Sequence, residues 1–211
     1  MKYKAKSNLL EELKNLPCFG KEYIFQLSRN EKNYNLKKST IDTYISRFLI
    51  NNEIIPFKRG VYVTTDFYNK HKGSTAYLFY LANILRKPSY ISLWTALQYH
   101  NLATEVIHTI TSVTTKVTRD YRTKIGTFSY QSVKAEMFSD FYLIKDDFDF
   151  FIATPAKALF DLLYFKTRQF KSVKFSDIDP LLSELRIDME EMDKAEREKF
   201  YSMVKKYVPY E

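Results

Sequence analysis

Cysteine is nearly absent from this 211-residue chain: Cys18 stands alone. A single thiol makes no intramolecular disulfide, and no second Cys or His lies near it at metal-ligand spacing, so a disulfide scaffold and a cysteine-based metal site are both excluded. Long apolar runs are missing as well. The longest, YLFYLA at 77–82, falls far short of the ~20 residues that a transmembrane helix needs. The basic start MKYKAKSNLLEELK lacks the apolar region of a signal peptide. The expectation is a soluble protein, cytoplasmic in a bacterium, with no membrane partner.

Catalytic signatures are equally scarce. The three histidines, His71, His100 and His108, stand far apart, and there is no HExxH, GxSxG, P-loop or GxGxxG sequence. Asp147 and Asp149 form the Asp-x-Asp by which nucleotidyltransferases hold Mg²⁺. The only Gly-Ser ahead of it, Gly73-Ser74, is more than seventy residues away, whereas those enzymes keep the two together. Strand alternation explains the segment more simply, with Phe148, Phe150 and Ile152 facing in and the two aspartates out. No catalytic residue, metal or cofactor is assigned, and the chain is expected not to be an enzyme.

What the chain does contain is core and positive charge. Hydrophobic residues make up 45% and aromatics 17%, with only 4 Gly and 6 Pro, the composition of a packed globular protein. The net charge is +8, and it is unevenly spread: residues 1–60 hold 12 Lys and Arg against 6 Asp and Glu, the remainder 21 against 19. A basic excess confined to one region points to a polyanionic partner.

The hydropathy pattern changes between about 65 and 74, dividing the chain into 1–68 and 74–211. In the first part, NLLEELKNLP places Leu9, Leu10, Leu13 and Leu16 on one helical face with Asn8 as cap, and GKEYIFQLSRN predicts a second helix presenting Tyr23, Ile24 and Leu27. In the third, Ser39 and Asp42 match a capping box, followed by the apolar stripe Ile41, Tyr44, Ile45, Phe48 and Leu49. IIPFKRGVYVTT then reads as a hairpin with a Lys-Arg-Gly tip. Three helices and a hairpin give the order of a winged helix-turn-helix.

The second part predicts helices over STAYLFYLANILRK, capped by Ser74 or Thr75, and PSYISLWTALQYHNL, meeting at Pro88. Strands follow within 106–118, in GTFSYQSV, in FYLIK and in FDFFIAT. TPAKALFDLLYFK starts a helix with Thr154 as cap and Pro155 at its first position. A last helix over about 189–206 presents Met192, Ala195, Phe200, Met203 and Val204. The expectation is an α+β domain with an antiparallel sheet flanked by helices. Lys157 and Asp161, four apart, read as a surface ion pair contributing a few tenths of a kcal/mol.

Opposite the third helix's core stripe lie Thr43, Ser46 and Arg47, with Thr40 at the rim. Hydroxyls and an arginine suit phosphate and base-edge contacts in a major groove. Lys37 and Lys38 ahead of the helix, with Lys58 and Arg59 at the hairpin tip, would grip the backbone on either side. The alternatives are a solvated polar face on an ordinary helical subdomain, and a protein-interaction module whose helical subdomain docks a partner protein.

Three segments, in order, resemble the AbiEi family of abortive-infection antitoxins. TIDTYISRFLINNEIIPFKRGVYV is similar to that family's recognition helix and "G-x-I-x-R-x-x-R-G-x-Y" wing. YISLWTALQYHNL resembles its "Y-x-S-x-x-S-A-L-x-x-H-G-L" helix, and IATPAKALFDLLYF its "P-E-K-A-L-x-D-L" helix; together the match runs over about 7–166. The resemblance implies an antitoxin and transcriptional autoregulator of a type IV toxin-antitoxin pair. It implies double-stranded DNA, inverted repeats in its own promoter, as one partner and a cognate nucleotidyltransferase-like toxin as the other. A winged-helix regulator without a toxin partner is the alternative.

Overall fold

The computed structural model describes residues 2–30, 36–104, 108–171 and 173–208. The chain forms two compact units, Met1–Leu81 with Arg122–Gly126, and Ala82–Tyr121 with Thr127–Glu211. Both are mixed α and β.

The first unit opens with helix α1 (Lys2–Leu13), the two-residue strand β1 (Phe19–Gly20) and helix α2 (Lys21–Asn30). Helix α3 (Lys38–Ile50), strands β2 (Ile54–Lys58) and β3 (Val61–Thr64), and helices α4 (Thr65–His71) and α5 (Thr75–Leu85) follow, the division between units falling within α5. The expected stripe of α3 is real: Ile41, Tyr44, Ile45 and Phe48 are buried, and Leu49 packs against the cluster they form with Leu9, Leu13, Phe19 and Ile24. Each such side chain contributes about 1.5–3 kcal/mol by leaving water, so this stripe fixes which face of α3 remains outside.

Several local expectations are overturned. Asn8 lies inside α1, which starts six residues earlier, and cannot cap it. Tyr23 is exposed while Ile24 is fully buried. Ser39 and Asp42 form no capping box: α3 begins at Lys38, its N-cap Lys37 makes no side-chain cap bond, and the Asp42 carboxylate is held elsewhere. The hairpin is as expected. Strands β2 and β3 pair antiparallel with an irregularity between Pro56 and Lys58, and Gly60 turns the tip at φ 75°, a left-handed conformation that favours glycine. Strand β1 adds to the far side of β3 to give the order β1-β3-β2.

The second unit holds β4 (Ser89–Ile91), α6 (Leu93–Tyr99), β5 (Thr109–Thr114), β6 (Arg119–Arg122, its last residue counted with the first unit), β7 (Thr127–Ser132), β8 (Phe141–Ile144) and β9 (Phe150–Ala153). Helices α7 (Pro155–Lys166), α8 (Ile178–Glu184) and α9 (Lys194–Lys205) complete it. Of the strand expected within 106–118, positions 106 and 107 lie outside the described residues. The sheet has six strands in the order β6-β7-β5-β4-β9-β8. It is mixed, not antiparallel throughout: β4 runs parallel to β9 and β5 parallel to β7, while β4–β5 and β8–β9 are antiparallel. Strands distant in sequence meet side by side, and no local pattern encodes that. Strand β4 interrupts the helix expected through 88–102; its three residues are all buried, so they carry no alternation to read.

Helix α7 is capped as expected, the Thr154 hydroxyl accepting from the Lys157 N–H with Pro155 in the first turn. Helix α9 is shorter than expected and capped by Asp193; Phe200 and Val204 are buried, Met203 partly so, and Ala195 is exposed. Met192 is buried but precedes the helix.

The largest departure from expectation concerns Lys157 and Asp161. They are not on the surface: their side chains are 3% and 0% exposed and meet at 2.7 Å. The second Asp161 oxygen accepts from the Ser92 hydroxyl at 2.8 Å and the Tyr90 hydroxyl at 3.0 Å. Burial pushes the Asp161 carboxyl up, against the opposing pull of Lys157 and the two hydroxyls. Thr111 binds the Ser92 carbonyl and exchanges hydrogen bonds with Thr95, which ties β5 to α6 just where Leu93 takes a left-handed φ of 59°. Such a conformation is strained for leucine and persists only where its neighbours hold it.

Candidate nucleic-acid interface

The core stripe of α3 dictates what its opposite face can be. Thr43, Ser46 and Arg47 are exposed at helical spacing, and Ile50 continues that row at 78% exposed. Lys37 and Lys38 are exposed at the start of the helix, and Thr40 is half-buried at the rim. Lys58 and Arg59 are exposed at the turn between β2 and β3, and β2 packs against α3, so all eight candidate residues lie on two adjacent elements of one unit.

Charge on this surface is free to act. Among the described residues Lys37, Arg47, Lys58 and Arg59 make no ion pair, and Lys38 lies over the Phe25 ring at 5.5 Å, which leaves its charge available. The single carboxylate on the outward part of α3, Asp42, is met by Lys21 of α2 at 2.5 Å. That hydrogen bond raises the Lys21 pKa, with burial opposing it. Asp42 is therefore neutralised from a neighbouring helix and not by the capping box expected of it. Sequence inspection had no means of finding Lys21, because the two residues are 21 apart and joined only by how α2 packs on α3.

The hydroxyls are less free than the cations. Thr43 Oγ1 donates to the Ser39 carbonyl and Ser46 Oγ to the Asp42 carbonyl, both at 2.9 Å, the bond back to residue i−4 that such side chains make inside helices. Each must break that bond before donating to a phosphate oxygen. The cations have no such bond to break.

Elsewhere the chemistry is sparse. No group of three His, Cys, Asp or Glu side chains is placed to hold a metal ion among the described residues. Asp147 and Asp149 are exposed and Phe148, Phe150 and Ile152 buried, as expected, but not by strand alternation throughout: β9 begins only at Phe150, and both aspartates lie in the turn before it. His100 is built into the second unit: its Nε2–H donates to the Ala153 carbonyl at 2.9 Å, and burial lowers its pKa, that carbonyl and Glu196 opposing. No helix of the described residues is long and apolar enough to cross a membrane.

Several polar residues of YISLWTALQYHNL and IATPAKALFDLLYF meet inside the second unit. Tyr90 and Ser92 of one close on Asp161 of the other, and His100 reaches the strand that precedes α7. Tyr90, Ser92 and Asp161 are buried and His100 is partly buried, so these four side chains are bonded within the unit. No protein-family model matches the chain, and no curated protein matches it.

Proposed function

We propose that the chain is a DNA-binding transcriptional regulator whose N-terminal helices and hairpin act as a winged helix-turn-helix, with α3 as the reading helix and the Lys58–Arg59 turn as the wing. The observation that carries this reading is the set of exposed cations without an ion pair among the described residues, Lys37, Arg47, Lys58 and Arg59, on two elements whose other faces are committed to core. Thr40, Thr43 and Ser46 lie between them as secondary contacts, and Lys38 flanks them. Cations without internal partners displace condensed counterions when they meet a phosphate backbone, which gives affinity that falls steeply with salt.

The further reading, that this regulator is the antitoxin of a type IV pair acting against a nucleotidyltransferase-like toxin, rests on the resemblance of the three segments to AbiEi antitoxins. The basic excess of residues 1–60 agrees with promoter binding and is silent about the toxin. The two parts have separate tests. A gel-shift titration on the DNA upstream of the chain's own reading frame tests the first. Co-expression with a neighbouring nucleotidyltransferase-like gene, scored as restored growth, tests the second; growth arrest unrelieved by this chain removes the antitoxin role and leaves a winged-helix regulator.

A further inference from the structure

The six-stranded sheet has two edges, and only one is guarded. Strand β6 reads Arg-Asp-Tyr-Arg, and charges at three of four positions deter another strand from pairing with it. In the smaller sheet the edge strand β2 carries Pro56, which has no N–H to offer. Strand β8 reads Phe-Tyr-Leu-Ile, with no charge and no proline, and its register with β9 is unbroken from Phe141↔Ala153 to Ile144↔Phe150.

Each face of this edge shows large apolar side chains to solvent. Leu143 and Phe151 oppose one another across the ladder on one face, 38% and 41% exposed. Tyr142 is 40% exposed on the other face, where the equally open Tyr99 sets its ring edge-on to Phe150, 5.9 Å away. Of the eight large hydrophobic side chains that stand exposed among the described residues, four gather here. The turn that follows, 145–149, holds Asp146, Asp147 and Asp149 against the single Lys145, and none of the three aspartates pairs with a cation among the described residues. Asp140, at the other end of the strand, is already taken by Lys199 at 2.9 Å.

We propose that β8 is a docking edge for an extended strand of a partner protein, apolar at alternate positions and basic at the end that lies against Asp146, Asp147 and Asp149. The main-chain groups of β8 supply the ladder, Leu143 and Phe151, which share one face, receive the alternate apolar side chains, and Tyr142 on the other face meets the side chains between them. Antiparallel addition brings the partner strand's N-terminal end to the acidic turn. A second copy of this chain fits less well: an antiparallel self-pairing centred on Leu143 sets Asp146 opposite the second copy's Asp140, and one centred on Tyr142 sets it opposite Phe138. Neither register gives the acidic turn a cation. The proposal does not depend on DNA binding, whose candidate residues lie in the other unit.

The test uses the full chain and a fluorescein-labelled peptide, Lys-Lys-Val-Thr-Val-Thr-Val, read by anisotropy. Saturable binding is expected, weakened about tenfold or more by Leu143→Lys, by Asp146→Lys with Asp147→Lys, and by Glu-Glu in place of the peptide's Lys-Lys. Both sets of substitutions fall at exposed positions, and a thermal melt of each variant verifies the fold. Absence of saturable binding, or binding indifferent to Leu143→Lys and to the lysine-bearing turn alike, overturns the proposal. A concentration-dependent dimer in sedimentation velocity that Leu143→Lys abolishes assigns the edge to a second copy and overturns it as well. Operator affinity unchanged in Leu143→Lys separates this result from the fate of the DNA reading.

Discussion

Lys21 of α2 meets Asp42 of α3 at 2.5 Å, so the only carboxylate on the outward part of α3 is masked by a residue of the preceding helix. The pair joins two helices and keeps the proposed reading face from repelling phosphate. Removing the carboxylate while keeping the shape, Asp42→Asn, frees Lys21 and deletes a negative charge. Tighter operator binding is expected, with a steeper dependence on salt. Lys21→Ala, which unmasks Asp42, is expected to weaken binding; fluorescence anisotropy across a salt series measures both.

The hydroxyls of Thr43 and Ser46 already donate to carbonyls of their own helix. Ser46→Ala is therefore expected to cost operator affinity less than Arg47→Ala does, because the serine must give up a bond to gain one while Arg47 has no ion pair among the described residues to surrender. Parallel gel-shift titrations of the two variants rank them.

Lys157 and Asp161 are buried within one hydrogen-bonded group that includes Tyr90 and Ser92. Lys157→Met leaves a carboxylate in the core without its cation, a change that costs about 3–5 kcal/mol. Adding Asp161→Asn removes that charge and retains an acceptor for the two hydroxyls, so the double variant is expected to regain part of the loss. Urea denaturation of the wild type and both variants measures the difference.

His100 is neutral in the fold, its pKa lowered from the ordinary 6.5 by burial. The unfolded chain binds the imidazole proton more readily, so stability from this group is complete above 6.5 and is lost as pH falls through the lowered folded value. Urea midpoints are expected to fall between neutral and acid pH, and His100→Gln is expected to flatten that slope while keeping a donor for the Ala153 carbonyl.

Periodicity made the first unit readable. The stripe Ile41, Tyr44, Ile45, Phe48 spaces itself as one helical face, and whatever is not on that face is exposed, so Thr43, Ser46 and Arg47 could be placed outside from sequence alone. The Lys58–Arg59–Gly60 turn was readable for a similar reason, since two β-type runs flank a glycine. Strand β1 and strand β4 were not, because two or three residues carry no period. The mixed pairing of β4 with β9 and of β5 with β7 is a long-range fact without a local signature. The same limit hid the burial of Lys157 and Asp161: four apart on a helix, they look like any surface pair until β4 brings Tyr90 and Ser92 to them. Strand β8, by contrast, was legible as a strand, but its position at a sheet edge was not.

DNA binding by α3 and the hairpin turn is tested most directly by titrating operator DNA with the wild type and with the double variant Arg47→Ala, Arg59→Ala over a range of salt. The double variant is expected to bind about tenfold or more weakly, with the slope of log affinity against log salt shallower by about 0.9 for each phosphate that is no longer neutralised. Equal affinities and equal slopes would contradict it.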